Sequence, residues 1–457
     1  MEQIHIAEGA RALLQQLNSA GFAAYAVGGC VRDSLLGQEP KDWDICTSAL
    51  PEQIMEVFSE LHCIPTGLAY GTVTVRYEGE SYEVTTFRKE LGYSDSRHPD
   101  GVRFLNSLRE DLARRDFTIN AMAADQNGRV TDLFGGKADL KQGLIRCVGE
   151  ARERFAEDAL RMLRALRFAA RFGFSMEEKT AEAIHEQKER LLHVAPERLR
   201  KELSGLLCGR AAVPILDHFS DVIFLLIPEL ADSKGFRQFN YHHALDVWQH
   251  SLLTLSSIPA TEPLRLAALL HDIGKPSCFH FDKYLVGHFY GHARLSCAYA
   301  QRILRRLRYD NDTIDTVCTL IRCHDTPLMP RPKEGGSKEK TLRRLLGRLG
   351  QERLLQLIEL KRADRLGKGN VDTVQVDAQI NEIRALLQGI LEQALCVRQD
   401  QLAVNGRDLM ALGMAPGPEM GQLLRQMLDA VIEGDLNNDR EVLVEFAQKH
   451  IVELQKH

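Results

Sequence analysis

With 457 residues the chain is longer than one hydrophobic core usually organises, so two or more domains are expected. Apolar residues make up 44% and charged residues 26%; no apolar run reaches membrane-spanning length and no charged-then-apolar leader opens the chain, which excludes a membrane protein and leads us to expect a cytoplasmic one. A net charge of −5 excludes an indiscriminate polycationic nucleic-acid binder, and the ten cysteines, none in a CxxC pair, read as reduced thiols.

In chain order, apolar spacing of three and four predicts a helix over 7–17, closed by the turn signal Asn18-Ser19-Ala20-Gly21. Residues 22–27 read as a strand, Gly28-Gly29 as a tight turn, and 31–36 as the opening of a helix. β-Branched and aromatic residues predict strands around 43–45, 71–77 and 81–87. Residues 88–109, with Tyr93, Asp95, Arg97, His98, Pro99, Asp100 and Gly101, read as a long polar loop. Beyond Gly135-Gly136 the strand signals stop, and prolines such as Pro196, Pro214, Pro228, Pro259 and Pro263 punctuate helical sequence. Residues 333–340 read as a loop. Residues 331–368 carry twelve Lys and Arg against five Asp and Glu, a charge run that suits a phosphate backbone or a solvated helical face.

The chemistry begins at Asp42 and Asp44, which flank Trp43; on a strand both side chains would share a face. Two such carboxylates, with Glu83 as a third, are ligands for paired magnesium ions that activate a hydroxyl and neutralise leaving pyrophosphate. A DxD on its own is weak evidence, being common on surfaces. The element before it strengthens the reading: Gly28 and Gly29 let the backbone approach a phosphate, and the helix that follows carries Arg32. Arg114, Arg115 and Asp116, followed by Asn120, add cations suited to bidentate phosphate contact, or form a helix end with solvated charges.

GGCVRD with DWD, RRDFTINAM (114–122) and EDALRMLRALRFAARFGF (157–174) resemble the class II tRNA nucleotidyltransferases, the bacterial CCA-adding enzymes, densely over residues 20 to about 210. The resemblance implies an α+β chain: a polymerase β-like nucleotidyltransferase head with a mixed sheet, followed by all-α neck, body and tail. It further implies Asp42 and Asp44 as magnesium ligands, Gly28, Gly29, Arg32, Arg114 and Arg115 around the triphosphate, and tRNA, CTP and ATP as partners. The 88–109 loop is similar to one that family ties to the switch from adding C to adding A. Glu157, Asp158, Arg161 and Arg164 fall in a predicted helix, where Asp158 and Arg161 present an acceptor and donors on one face. Cytosine and adenine offer an amino donor beside a ring-nitrogen acceptor, whereas uracil and guanine reverse that order, so such a pair would accept C and A. The resemblance assigns Asp158 and Arg161 that job; the plain alternative is an i,i+3 salt bridge.

A second chemistry follows. His250, His271, Asp272 and Asp364 occur in the order H…HD…D, which resembles the HD phosphohydrolases, with His292 and His324 where members with a second metal carry further ligands. Lys275 is a candidate phosphate contact, and the metal would be a divalent transition ion or magnesium. Some CCA-adding enzymes carry such a module with phosphatase, 2′-nucleotidase or 2′,3′-cyclic phosphodiesterase activity. The expected layout is head 1–138, neck 139–210, body 211–242, HD domain 243–366 and tail 367–457. Poly(A) polymerase is disfavoured, since its bacterial forms carry a basic GRRF-like segment where this chain has Pro65 to Thr72. A CC-only or A-only enzyme, and an RNA-sensing phosphohydrolase with a non-catalytic head, remain open, and the oligomeric state is unassigned.

Overall fold

The computed structural model describes residues 3–91, 101–239, 244–329, 337–392 and 398–454. They form two compact units, Met1–Ala231 with Arg305–Tyr309, and Asp232–Leu304 with Asp310–His457. The architecture is α+β, with a mixed sheet near the N-terminus and helices thereafter. No helix among the described residues is long and apolar enough to cross a membrane.

In the first unit, α1 (Glu8–Ser19) buries Leu13, Leu14 and Leu17. Then come β1 (Ala24–Val27), α2 (Gly29–Leu35), β2 (Ile45–Thr47), α3 (Pro51–Val57), β3 (His62–Gly67), β4 (Thr72–Tyr77) and β5 (Glu80–Thr86). They are followed by β6 (Arg88–Leu91), β7 (Gly101–Phe104), α4 (Leu108–Ala113), β8 (Met122–Ala124) and β9 (Val130–Asp132). The main sheet has the order β3-β4-β5-β2-β1-β8-β9. Within this sheet, only β2 and β5 pair in parallel. In β4 and β5 every second residue is buried, the period expected of a sheet with one covered face.

Three expectations change here. The strand expected at 43–45 starts only at Ile45, so Asp42 and Trp43 precede it. The reason is the neighbour: Val27 N–H bonds to the Asp44 carbonyl, and β1 then turns away at Gly28, leaving the chain before Asp44 without a partner strand. Second, β3 was not foreseen, because Pro65 argues against a central strand; it lies at the sheet edge, where proline is tolerated. Third, the expected loop 88–109 has paired arms, since β6 and β7 form an antiparallel ladder from Arg88↔Phe104 to Leu91↔Gly101. Tyr93, Asp95, Arg97, His98, Pro99 and Asp100 lie outside the described residues.

The unit continues through α5 (Gly136–Gln142), β10 (Leu144–Ile145), α6 (Ala151–Glu157), α7 (Leu160–Phe172), β11 (Ser175–Met176), α8 (Glu178–Gln187), α9 (Pro196–Leu207), α10 (Ala212–His218) and α11 (Ser220–Leu226). The helix expected to carry Glu157, Asp158, Arg161 and Arg164 is broken at Asp158, whose backbone is extended and whose Oδ1 accepts the Leu160 N–H at 3.0 Å. A short acid that can satisfy an orphan donor starts a new helix there. Strands also persist past Gly136, but only as two-residue ladders.

In the second unit, α12 (Val247–Ser256), α13 (Glu262–Leu270), α14 (Lys275–Cys278), β12 (His280–Phe281), β13 (Gly287–His288), α15 (His292–Arg306) and α16 (Asn311–Cys323) precede α17 (Lys338–Leu349) and α18 (Gln351–Leu366). Ser337 caps α17, so Lys338 to Lys340 are helical rather than part of the expected 333–340 loop; residues 333–336 lie outside the description. The chain ends with α19 (Thr373–Glu392), α20 (Gly406–Ala411), α21 (Pro418–Glu433) and α22 (Arg440–Leu454), the last three packed around Leu409, Leu423, Met427 and Leu443.

Candidate functional site

The parallel register Ile45↔Val84 sets Asp44 beside Glu83, one residue before each pairing partner. Burial raises the Asp44 carboxyl, Glu83 and Asp42 push it the same way, and Arg115 opposes them. Three acids that repel one another beside a cation supply the hard oxygen set suited to magnesium. Their spacing is loose: among the described residues, groups of three or more ligand atoms within 4.8 Å of one another occur only in the second unit.

Gly28, with φ +82°, carries the chain from β1 into α2, and a Cβ there would lie 3.1 Å from the Arg115 guanidinium. Arg114 Nε donates to buried Asp111 at 2.9 Å, and Arg115 pairs with the other oxygen of Asp111 at 3.4 Å. Asp111 also accepts the Arg88 backbone N–H at 3.3 Å, at the first residue of β6. Sequence reasoning missed Asp111, although an acid three and four residues before an arginine pair was a readable signal.

A second chain of bonds ties the sheet to α7. Arg32 donates to Asn120 Oδ1 at 2.6 Å, Asn120 donates to Asp116 at 3.0 Å, and Arg164 grips Asp116 Oδ2 with two nitrogens at 2.7 and 2.9 Å. The Arg32 guanidinium also lies 5.2 and 4.9 Å from the Phe168 and Phe172 ring centres on α7. Burial raises the Asp116 carboxyl, but Arg164 and Asn120 outweigh it and hold it at about 2.

Asp158 and Arg161 do not share the expected helix: Asp158 closes α6 with extended backbone and Arg161 lies in the first turn of α7. Asp158 Oδ2 accepts from Arg198 at 2.8 Å, whereas Arg161 donates to Glu157 at 2.5 Å and to the Arg114 carbonyl at 3.0 Å. α9 thus supplies a partner for Asp158, and α6 with the arginine pair supplies partners for Arg161. Arg198 had no signal of its own, because it lies 40 residues from its partner.

The basic run 331–368 is largely tied down where described. Lys338, Arg343, Arg344, Arg353 and Arg362 pair with Glu382, Glu339, Glu433, Asp315 and Asp377 respectively. That favours paired helical faces over an open phosphate track.

The second unit brings together all six expected ligands. His250 comes from α12, His271 and Asp272 from the end of α13, His292 from the start of α15, His324 from the end of α16, and Asp364 from α18. His250 Nε2 lies 3.1 Å from His271 Nε2, 3.2 Å from Asp272 Oδ2 and 3.1 Å from Asp364 Oδ1. The other oxygen of Asp272 lies 3.3 Å from His292 Nε2 and 3.6 Å from His324 Nε2. Asp325, not foreseen, adds a carboxylate 3.4 Å from His292.

The tautomers fit a metal. His271, His292 and His324 donate Nδ1–H to the carbonyls of Ala268, Phe289 and Ile321, which in a neutral ring leaves a lone pair on each Nε2. Lone pairs aimed at a buried carboxylate and at one another are satisfied by a metal ion between them or by protons on the rings. Protons respond to the same field: burial lowers His271, but Asp272 and Asp364 outweigh it and raise it to about 10. Lys275 Nζ lies 2.6 Å from Asp272 Oδ2 and 2.8 Å from Gln238 Oε1. A cavity of about 320 Å³ opens beside this cluster, with Asp272, Lys275, His324, Asp325 and Lys368 in its lining.

The chain matches the family model of the poly A polymerase head domain over residues 24–146, and that of tRNA nucleotidyltransferase domain 2 over residues 289–447. The model of an RNA and SrmB-binding site of polymerase A matches residues 173–232. A CCA-adding enzyme from Lactobacillus delbrueckii subsp. bulgaricus is 37% identical over 436 residues, 95% of this chain and 96% of that protein. One from Limosilactobacillus fermentum is 36% identical over 444 residues, 96% of each. The crystal structure of the Bacillus stearothermophilus CCA-adding enzyme in complex with CTP superposes with a TM-score of 0.71 at 30% identity, over 98% of each chain. The Thermotoga maritima CCA-adding enzyme complexed with tRNA shares the fold, with a TM-score of 0.58 at 20% identity over 99% of this chain and 100% of that one.

Proposed function

The chain belongs to the CCA-adding tRNA nucleotidyltransferase family, and from that premise we propose that it adds CCA to the tRNA 3′ end from CTP and ATP. The tRNA 3′ hydroxyl attacks the α-phosphate in line, one phosphodiester bond forms, the α–β anhydride bond breaks, and pyrophosphate leaves. The observation that carries this reading is the register setting Asp44 beside Glu83, with Arg115 acting on the same carboxyl. Magnesium bound to Asp42 and Asp44, with Glu83, would lower the pKa of the attacking hydroxyl and neutralise the leaving group. Arg114 and Arg115, aimed by Asp111, hold the triphosphate, and the Arg32–Asn120–Asp116–Arg164 chain fixes the floor of the site. Asp158 and Arg161 read the base edge, exchanging Arg198 and Glu157 for the amino group and ring nitrogen shared by C and A.

The test uses tRNAs ending before CCA, after C and after CC, each given labelled CTP, ATP or UTP separately. Sequential C, C and A addition is expected; growth of A tails, or arrest after CC, identifies a poly(A) or partial enzyme instead. Asp158→Ala should accept UTP, and unchanged rejection removes Asp158 from base selection.

A second reading is supported by the converging imidazoles: a metal-dependent phosphohydrolase acting on nucleotide monoesters or 2′,3′-cyclic phosphates. His250, His271, Asp272 and Asp364 would hold one divalent ion, with Asp272, His292 and His324 disposed for a second. Bound metal would supply an activated water there. Phosphate release from 2′-AMP or ring opening of 2′,3′-cyclic AMP by manganese-loaded protein is expected. Inertness toward both leaves a structural metal site.

A further inference from the structure

The cavity beside the histidine cluster is walled in part by His288, Phe289 and Tyr290, which none of the proposed hydrolytic chemistry uses. Cross-strand pairing sets His280 opposite His288, with ring centres 5.7 Å apart. Tyr290 extends the stack, 5.3 Å from His288 at an interplanar angle of 6° and 5.1 Å from His280. Asp282 fixes the imidazole nearer the cavity, its Oδ2 lying 3.0 Å from His288 Nε2. The hairpin itself is anchored by glycine, since a Cβ on Gly287 would lie 2.4 Å from the Gln238 carbonyl. Yet Tyr290 remains 73% exposed. A large ring pre-ordered by stacking and left in water at a cavity wall is the arrangement with which proteins receive a base, because every base has a π-face.

Chain geometry supplies the distance. Only Gly291, with φ +78°, separates Tyr290 from His292, and two residues span at most about 7 Å. Tyr290 and His292 thus enter the same cavity wall from neighbouring backbone positions, and Lys275 and Lys368 in the same lining suit the anion.

We propose that Tyr290, backed by His288 and His280, is a nucleobase-stacking subsite that makes the second-unit cavity selective for nucleoside phosphates over base-free phosphate esters. This rests on the phosphohydrolase reading of the cluster, and the ligand is a nucleoside phosphate unit, whether free or at an RNA 3′ terminus.

The test compares kcat/KM of wild type, Tyr290→Ala and Tyr290→Phe, all as manganese-loaded full chain, on 2′-AMP, an oligoribonucleotide ending in a 2′-phosphate, and glycerol 2-phosphate. Loss of a stacked base corresponds to about a tenfold effect. Tyr290→Ala should lower the preference for 2′-AMP over glycerol 2-phosphate by about that factor, and Tyr290→Phe should restore it. A loss seen with the oligoribonucleotide alone identifies the RNA terminus as the source of the unit. An unchanged preference for both nucleotide substrates overturns the subsite. If wild type hydrolyses none of the three and leaves 2′,3′-cyclic AMP intact as well, the phosphohydrolase reading falls by itself. Saturation-transfer NMR on 2′-AMP, with excess CTP occupying the first unit, then decides: signal at the adenine protons lost in Tyr290→Ala keeps the stacking subsite, and signal retained removes it.

Discussion

Asp116 shows how a single buried carboxylate joins stability to the nucleotide site. It accepts from Asn120 and from both arms of Arg164, and the interaction holds its pKa at about 2 against the cost of burial. Because the folded value lies below the roughly 3.9 of an unfolded aspartate, the stabilisation is complete above about pH 4 and is lost as pH falls toward 2. A shift of that size is worth about 2–3 kcal/mol. Asp116→Asn should therefore destabilise the first unit by about that amount at pH 7 and converge with wild type near pH 2. Urea titrations at several pH values measure the difference directly, and a pH-independent gap would assign the loss to packing. Because Asn120 also holds Arg32, the same variant should weaken CTP binding.

At the scale of elements, the turn into α5 carries much of the head's precision. Gly136 packs so closely that a Cβ would lie 2.2 Å from the Thr118 carbonyl, in the 3₁₀ turn that presents Asn120. Backbone cannot yield as a side-chain tip can, so Gly136→Ala should cost about 1–3 kcal/mol, lower Tm by several degrees, and reduce nucleotide affinity along with stability. A thermal melt with and without CTP reads both effects, and a Tm equal to wild type would mean the turn shifts freely. The contrast with what was legible is instructive. Gly28-Gly29, DWD, RRD and the H…HD…D order were readable because their residue types are chemically specific at fixed spacing. The edge strand β3, the break at Asp158 and the start of β2 at Ile45 were not, because each depends on a partner: an unpaired sheet edge, a capped amide at Leu160, a neighbour that ends at Val27. Arg198 and Asp325 escaped for the same reason, since an acid or arginine acquires its role from whatever the fold sets beside it, whereas Asp111 was readable from its spacing to Arg114 and Arg115.

Across the whole molecule, the two constellations fall in separate compact units. That separation makes their chemistries independently removable. Asp42 is exposed and outside any strand, so Asp42→Asn changes charge without disturbing packing. Loss of one metal-binding carboxylate should lower CMP and AMP addition by about a thousandfold while sparing release of phosphate from 2′-AMP. His292→Ala in the second unit, where the ring is only partly buried, should do the reverse. Chelation should abolish both activities, because both donor sets fit divalent ions. Readdition of magnesium alone should restore addition, whose proposed ligands are all oxygen, more fully than hydrolysis, whose proposed ligands include four imidazoles that favour manganese or a later transition ion. If either single variant silenced both activities with the fold intact, the two sites would have to be coupled, and a chain with one composite function would replace the picture of two independent catalysts.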